Sequence, residues 1–453
     1  MSEPTRTTNN FIGKAGGLAG AAIGHYVRSI AGFSRDARLF LLLTIVFGSS
    51  MSLYWTDFNL YVKSVGLDDS TCGWLLTVSQ IAGVFVAFPA SAVSDRIGRR
   101  SVMVFGGALV VIALFAFLPG DVGLLFVGVA AMGAGSQIFG VVQIPFMAEH
   151  TAPEQRNDYF SVWQAIQFST GFASTIVGGA AASWLAPQLG LTSASAPYEL
   201  LLLGVVTLGL MSLGMIFLLS NDRPTATESE RAARPGRFGL VVHNRGLFFR
   251  LLLPGFLTAL GAGQLIPFLN IFVATKFNLG LAEVNAFFAI ASLGTAFAIL
   301  AQPAVARKFG RIGAIVLVQG ASIPFIVVLG FSPVLWTVVL ALAVRNSLMN
   351  AGSPIFDAFA MDRVSEAERA TLAAGMSMLW SLGWVFGPLY YGILQSTLGF
   401  TAGYAVDFVT IIVLYTTATS LLWHWFRRDA KTWATAPEPV AVPASPTLVT
   451  GEG

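Results

Sequence analysis

Twelve uninterrupted apolar runs divide this chain, at about 39–62, 70–93, 101–118, 122–147, 159–185, 200–220, 251–275, 284–306, 312–331, 334–360, 371–394 and 402–426. Each is near membrane-spanning length, and hydrocarbon offers no hydrogen-bond partner, so each must close its own backbone bonds as a helix. Nine of the runs hold no charge; the exceptions carry Asp57, Arg345 with Asp357, and Asp407. A soluble helical bundle would need polar faces on its outer helices, and residues 70–220 offer no sustained one. Only 11% of the 453 residues are charged, far below the roughly one quarter of a water-facing surface, which also excludes a disordered or nucleic-acid-coating chain. A single cysteine, Cys72, rules out an intramolecular disulfide and any multi-thiolate metal site, and four histidines leave little for metal chemistry.

Basic residues fix the expected orientation. With the N-terminus in the cytoplasm, 23 of the 26 Lys and Arg fall on that side, from Arg6 through the six arginines between Arg223 and Arg250 to Lys431. Lys63 and Lys276 fall outside, and Arg345 lies within a span. Both termini are therefore expected in the cytoplasm, and the net charge of +3 reports membrane orientation with no nucleic-acid partner implied. Residues 1–38 read as a cytoplasmic tail, with Phe11, Ala15, Leu18, Ala22, Tyr26, Ile30 and Phe33 at the spacing of an interfacial helix and Gly16, Gly17, Gly20 and Gly24 against it. Residues 427–453, rich in proline after Lys431, read as a disordered cytoplasmic tail.

Sliding the chain over itself by 212 or 213 positions reveals an internal repeat. Ser94 to Arg99 matches Ala306 to Arg311, and Glu149 with Arg156 seven residues on matches Asp362 with Arg369. Ser174 with Gly178-Gly179 lies opposite Gly387-Pro388 with Tyr391-Gly392, and Val65-Gly66-Leu67 opposite Phe277-Asn278-Leu279. The expected architecture is an all-α membrane protein: twelve transmembrane helices in two pseudo-symmetric six-helix bundles, 39–220 and 249–426, joined by a cytoplasmic linker at 221–248.

Ser91-Ala92-Val93-Ser94-Asp95-Arg96-Ile97-Gly98-Arg99-Arg100, placed between spans two and three, resembles the loop signature G-x-x-x-D-R-x-G-R-R of the major facilitator superfamily, with Ser91 in place of the leading Gly. The resemblance covers about 39–426. It implies that spans one, four, seven and ten line a central cavity, and that Asp95 meets the start of span eleven as a latch on the cytoplasmic face. Asp95, Arg96, Gly98, Arg99, Glu149, Arg156, Asp362 and Arg369 are the candidate cytoplasmic gate. Arg307 replaces the acid in the second copy, so no latch is expected there.

The costly intramembrane charges are the candidates for solute binding or coupling. Arg345 falls ~17 Å into span ten, close to the midplane, and calls for an anionic or carbonyl-bearing solute or a paired acid. Asp57, ~27 Å along span one on a stripe with Ser50, Tyr54 and Tyr61, is placed to take up a proton according to the side it meets, or to serve as an uncoupled outer-gate hydrogen bonder. Asn346, Asn350, Ser353 and Asp357 share one face of span ten, with Asp357 near its cytoplasmic end. Gln264 and Asn270 in span seven are further polar candidates, as are Gln164, Gln167, Ser377, Ser381 and Trp384, each with interhelical packing as its alternative. Asp407 and Glu199, near outer helix ends, receive no role. Span five has Ser174-Thr175 where antiporters of the family carry a glycine-proline pattern, and span seven has Gln264 alone where sugar porters carry paired glutamines.

No P-loop and no G-x-S-x-G occurs, and all four histidines fall on the cytoplasmic side, so no enzyme activity, cofactor or metal is expected. The expectation is a monomeric secondary transporter in a plasma or bacterial inner membrane, moving a small organic solute by alternating access, coupled to protons and exporting. An uncoupled facilitator or uptake permease is the first alternative. A non-transporting receptor or assembly scaffold is the alternative of another class.

Overall fold

The computed structural model describes residues 30–220, 242–291 and 311–427, and all regular structure among them is helical. Spans one to six are Arg35–Ser64, Asp69–Ile97, Arg99–Phe117, Val122–Glu149, Arg156–Gln188 and Ala196–Ile216. Span seven is Arg245–Leu265, continued through a single 3-10 turn by Leu269–Phe277. Span eight is described at its start, Leu281–Ala291. Spans nine and ten are Arg311–Phe331 and Leu335–Met361, and Glu366–Phe426 holds spans eleven and twelve, separated where Gly399 leaves helical geometry at φ 70°. The linker residues 221–241, both tails outside 30–427 and the repeat copy at 306–310 lie outside the described residues. Large apolar side chains face outward, among them Phe85 at 76% and Trp336 at 70% exposure, the surface of a helical protein solvated by lipid rather than water. The chain is an integral multi-pass membrane protein.

Short polar residues start these helices. Ser34, Asp68, Asp121 and Asn244 each accept a backbone N–H of the first turn, satisfying donors that the helix cannot. Gly98 separates spans two and three at φ 95°, ψ 150°, a conformation nearly closed to residues with a Cβ, which explains a glycine there.

The packing of the first half recurs in the second. Span one lies against spans five and six, and span seven against the arms of the long helix that form spans eleven and twelve. Span three packs on spans four and six, as span nine does on spans ten and twelve. Local devices repeat with it. The loop after span one turns at Gly66 (φ 92°) and the loop after span seven at Asn278 (φ 51°), both in the positive-φ region. Arg156 donates to the Ala148 carbonyl at 2.9 Å, and 213 residues on, Arg369 donates to the Met361 carbonyl at 3.3 Å. Each guanidinium thus sits on the carbonyl end of the preceding span, where the helix dipole favours a cation.

Candidate functional site

The two ends of the molecule differ. At the Gly66 end the first and second halves are hydrogen-bonded together. Asn59 Nδ2 donates to the Pro267 carbonyl at 2.7 Å, Asn270 Nδ2 to the Thr56 carbonyl at 2.6 Å, and Asn285 Nδ2 to Asp57 Oδ2 at 3.4 Å. Glycines bring the backbones close. A Cβ added to Gly73 of span two would lie 2.7 Å from the Pro388 carbonyl and 2.8 Å from Gly392 Cα in span eleven. Gly179 of span five accommodates the Asn285 side chain in the same way.

Asp57 sits in this seam, 1% exposed. Its one hydrogen bond is to a neutral amide, and Asp57 Oδ1 and Asn285 Oδ1 are both buried without a partner. Among the described residues no cation pairs with Asp57, and a protonated carboxyl there can donate its O–H to the Asn285 amide oxygen. The rest of the predicted stripe turns away from the seam. Ser50 donates to the Val205 carbonyl, Tyr61 to the Phe117 carbonyl, and Tyr54 stacks on Phe117 inside the first half, so Tyr54 is a packing residue.

Toward the other end a cavity of ≈ 830 Å³ is lined by spans seven, nine, ten, eleven and twelve. It runs from Arg345, Gln319 and Trp384 at depth to Asp357 and Met361, within the last turn of span ten. Arg345 is 4% exposed; it donates to Asn346 Oδ1 and to the Tyr415 hydroxyl, each at 2.9 Å. No carboxylate lies within ion-pair distance of Arg345 among the described residues. Trp384 Nε1 and Gln319 Oε1 are buried without hydrogen-bond partners.

The structure therefore brings Arg345, Asn346 and Asp357 to one cavity and Asp57 to the seam. Gln264 instead binds the Asp407 backbone carbonyl at 3.1 Å, and Asn270 belongs to the cross-half closure. The side chains of Asn350 and Asp95 lie outside the described residues. In the gate region Arg99 pairs with Glu149 at 3.1 Å and donates to Ser94 Oγ at 2.6 Å, while Arg96 and Asp362 are exposed. Three residues given no part by the sequence reading matter here. Asn285 and Gln319 are amide side chains within otherwise mostly apolar runs, which is the signal that could have found them. Asp407, expected near an exposed helix end, is fully buried, with Gln395 Nε2 on its Oδ2 at 3.3 Å.

Outside the spans, Glu368 joins the start of span eleven to the segment entering span seven. Its carboxylate accepts from the His243 N–H at 2.7 Å and the Ser365 hydroxyl at 2.8 Å, which holds its pKa down at about 2. A lowered pKa means the contact is at full strength above the usual carboxylate range of ~4.3 and fades only as pH falls toward about 2. Hydrogen exchange at the His243 amide, corrected for intrinsic rates, should be constant from neutral to mildly acidic pH and accelerate below it. Glu368→Gln should raise that rate severalfold at neutral pH, by roughly the factor that one charge-assisted hydrogen bond supplies. Equal protection in both proteins would remove the clasp.

A family model described as Major Facilitator Superfamily matches residues 40–388, with a second match over 251–449. No curated protein matches the sequence. Among solved structures, a bacterial homologue of the iron transporter ferroportin in an inward-facing state is similar at a TM-score of 0.68 and 16% identity, covering 86% of this chain and 98% of its own. The nucleoside transporter NupG gives 0.65 at 14% identity, over 87% and 99%. A bacterial homologue of the human lysosomal transporter Spinster, inward-facing and occupied, gives 0.64 at 15% identity, over 88% and 98%. At such identities the likeness is one of fold.

Proposed function

Because this chain belongs to the Major Facilitator Superfamily, we propose that it is a secondary active transporter that moves a small organic solute by alternating access and exchanges it for protons through Asp57. The observation that carries the reading is one-sided closure. Cross-half hydrogen bonds and glycine contacts seal the Gly66 end, while the Arg345 cavity extends to within a turn of the opposite, arginine-rich end. That asymmetry is what a carrier with one side open at a time requires. With the basic residues assigned to the cytoplasm, the state described is open inward, in a plasma or bacterial inner membrane with both termini inside.

Within this scheme the two halves, 39–220 and 249–426, rock about the seam. Asp57 takes up a proton from outside while the Gly66 end is open, since the charged form cannot seal against Asn285 without a cost of several kcal/mol, and gives that proton up to the cytoplasmic side before the end reopens, so one proton enters as one solute leaves. The proton thereby biases the same equilibrium that the solute biases, which is the meaning of coupling. Export is the proposed direction, in line with the family resemblance of the loop signature, and the protein acts as a monomer.

Flux in proteoliposomes tests this. A panel of cationic, anionic and neutral solutes is loaded and a pH gradient imposed. The expected result is movement of one class against its own gradient, abolished by a protonophore. Flux no faster than in protein-free vesicles for every class would favour a receptor or scaffold, and uphill movement indifferent to the protonophore would remove the proton.

A further inference from the structure

The cavity of the second half carries a charge that no described residue of the protein answers. Of the described residues lining it, only Arg345 and Asp357 bear a formal charge, and they stand twelve positions apart on span ten, ~18 Å along the helix. Asp357 is exposed near the mouth, where water supplies its solvation. Arg345 is buried at depth, and two of its five N–H donors are taken by neutral oxygens, Asn346 Oδ1 and the Tyr415 hydroxyl. Those two bonds, with the Tyr415 ring 5.8 Å from the guanidinium carbon, fix the fork in place without neutralising it. A protein that needed Arg345 only for packing would pair it with an acid, because an uncompensated cation in an apolar wall is costly.

The rest of the lining says what kind of molecule completes the site. Trp384 Nε1 is an unspent donor lining the same cavity, so a second donor is available to an anion, while the unspent Gln319 Oε1 is an acceptor and adds no contact to an anionic head. The same lining includes Met349, Phe356, Met376 and Trp380, which offer mainly apolar and aromatic surface. An inorganic anion would leave that wall facing nothing, and a cation would meet Arg345.

We infer that the cavity binds a small organic anion with an apolar body, its carboxylate or equivalent head on Arg345 with the Trp384 N–H as a second donor and its body along the Met and aromatic wall. Every described lining residue belongs to the second half, so the solute is held by one half and the proton-carrying Asp57 by the other. For what binding accomplishes, this rests on the transport reading above; for binding itself it does not.

Calorimetric titration of the purified full chain in nanodiscs tests it, with phenylbutyrate against phenylbutyramide and octanoate against octanamide as matched pairs. The anion of at least one pair is expected to bind about tenfold or more tighter than its amide, since a buried charge pair is lost with the neutral compound. Arg345→Gln should erase that preference, Arg345→Lys should keep part of it, and the control Arg250→Gln should leave it intact. Trp384→Phe, which keeps the ring and removes the donor, should weaken the anion severalfold and spare the amide; it carries the test if Arg345→Gln does not fold. Equal affinities within every pair, or a preference that survives in a folded Arg345→Gln, would overturn the assignment. Nanodiscs of phosphatidylcholine are compared with nanodiscs containing phosphatidylglycerol. A preference present in both supports a free organic anion, and one abolished by the anionic lipid gives Arg345 to a lipid headgroup and overturns it. Binding with this preference but no flux would retain the site and discard the transporter; flux without the preference would do the reverse.

Discussion

Asp57→Asn is expected to fold, to bind solute, and to equilibrate it without concentrating it. Asparagine preserves the size of the side chain and can still exchange hydrogen bonds with Asn285, so the seam at the Gly66 end should still close. What it lacks is a proton to release. For one-for-one exchange the parent should sustain an accumulation ratio of about tenfold for each pH unit imposed, the equivalent of ~1.4 kcal/mol, and the variant a ratio near one. The readout is the steady-state solute ratio in proteoliposomes with the pH gradient set by the buffers. Unchanged accumulation by the variant would deny Asp57 the coupling role. Loss of downhill exchange as well would make Asp57 a structural residue of the seam.

The second large effect is steric. Gly73→Leu would place a side chain where Pro388 and Gly392 of span eleven now lie within 3 Å of the built Cβ, so the Gly66 end could not close as it does here. Overpacking of this kind costs roughly 1–3 kcal/mol, enough to move an alternating equilibrium by about five- to 150-fold without unfolding the helices on either side. The natural reporter is adjacent. Cys72, the chain's sole cysteine, is 0% exposed, with its Sγ 3.8 Å from the Asn59 carbonyl in the same seam. Labelling of Cys72 by a membrane-impermeant maleimide added from outside should be slow in the parent and about tenfold or more faster in Gly73→Leu, with net flux lost. Gly73→Ala should fall between them. Equal labelling of all three would mean that the contact between spans two and eleven does not govern access.

Much of this was legible in the sequence, because lipid leaves the chain few choices. The apolar runs anticipate the helices at nearly every described span, and the paired arginines at 156 and 369 carry the same contact in both halves. Arg345 announced itself by its cost at the midplane, and the structure puts it in the cavity with Asn346 and Asp357. What the sequence could not convey is which way a polar side chain turns on a helix surrounded by other helices. Tyr54 and Asp57 share a stripe by spacing, yet one packs on Phe117 within the first half and the other meets Asn285 of the second, since a stripe some 100° wide spans two neighbours. Gln264 and Asn270, which the sequence leaves between solute contacts and interhelical packing, satisfy backbone carbonyls of spans twelve and one. Asp407 looks solvated by its position in the run, but the turn at Gly399 folds span twelve back so that Gln395 of span eleven donates to its carboxylate and it is fully buried. Burial of that kind is a property of tertiary packing and has no local signature.

Pulsed electron resonance distances between spin labels at the two ends provide the most direct test of rocking halves. On a Cys72→Ser background, one pair, Ser64→Cys with Ser396→Cys, spans the Gly66 end, and another, Ile97→Cys with Ala373→Cys, spans the arginine-rich end. On passing from mildly alkaline to acidic buffer, or on adding a transported solute, the two distances should change in opposite senses within the same sample set. Distances that lengthen and shorten together, or that stay fixed while solute is being moved, would contradict alternation about the Asp57 seam.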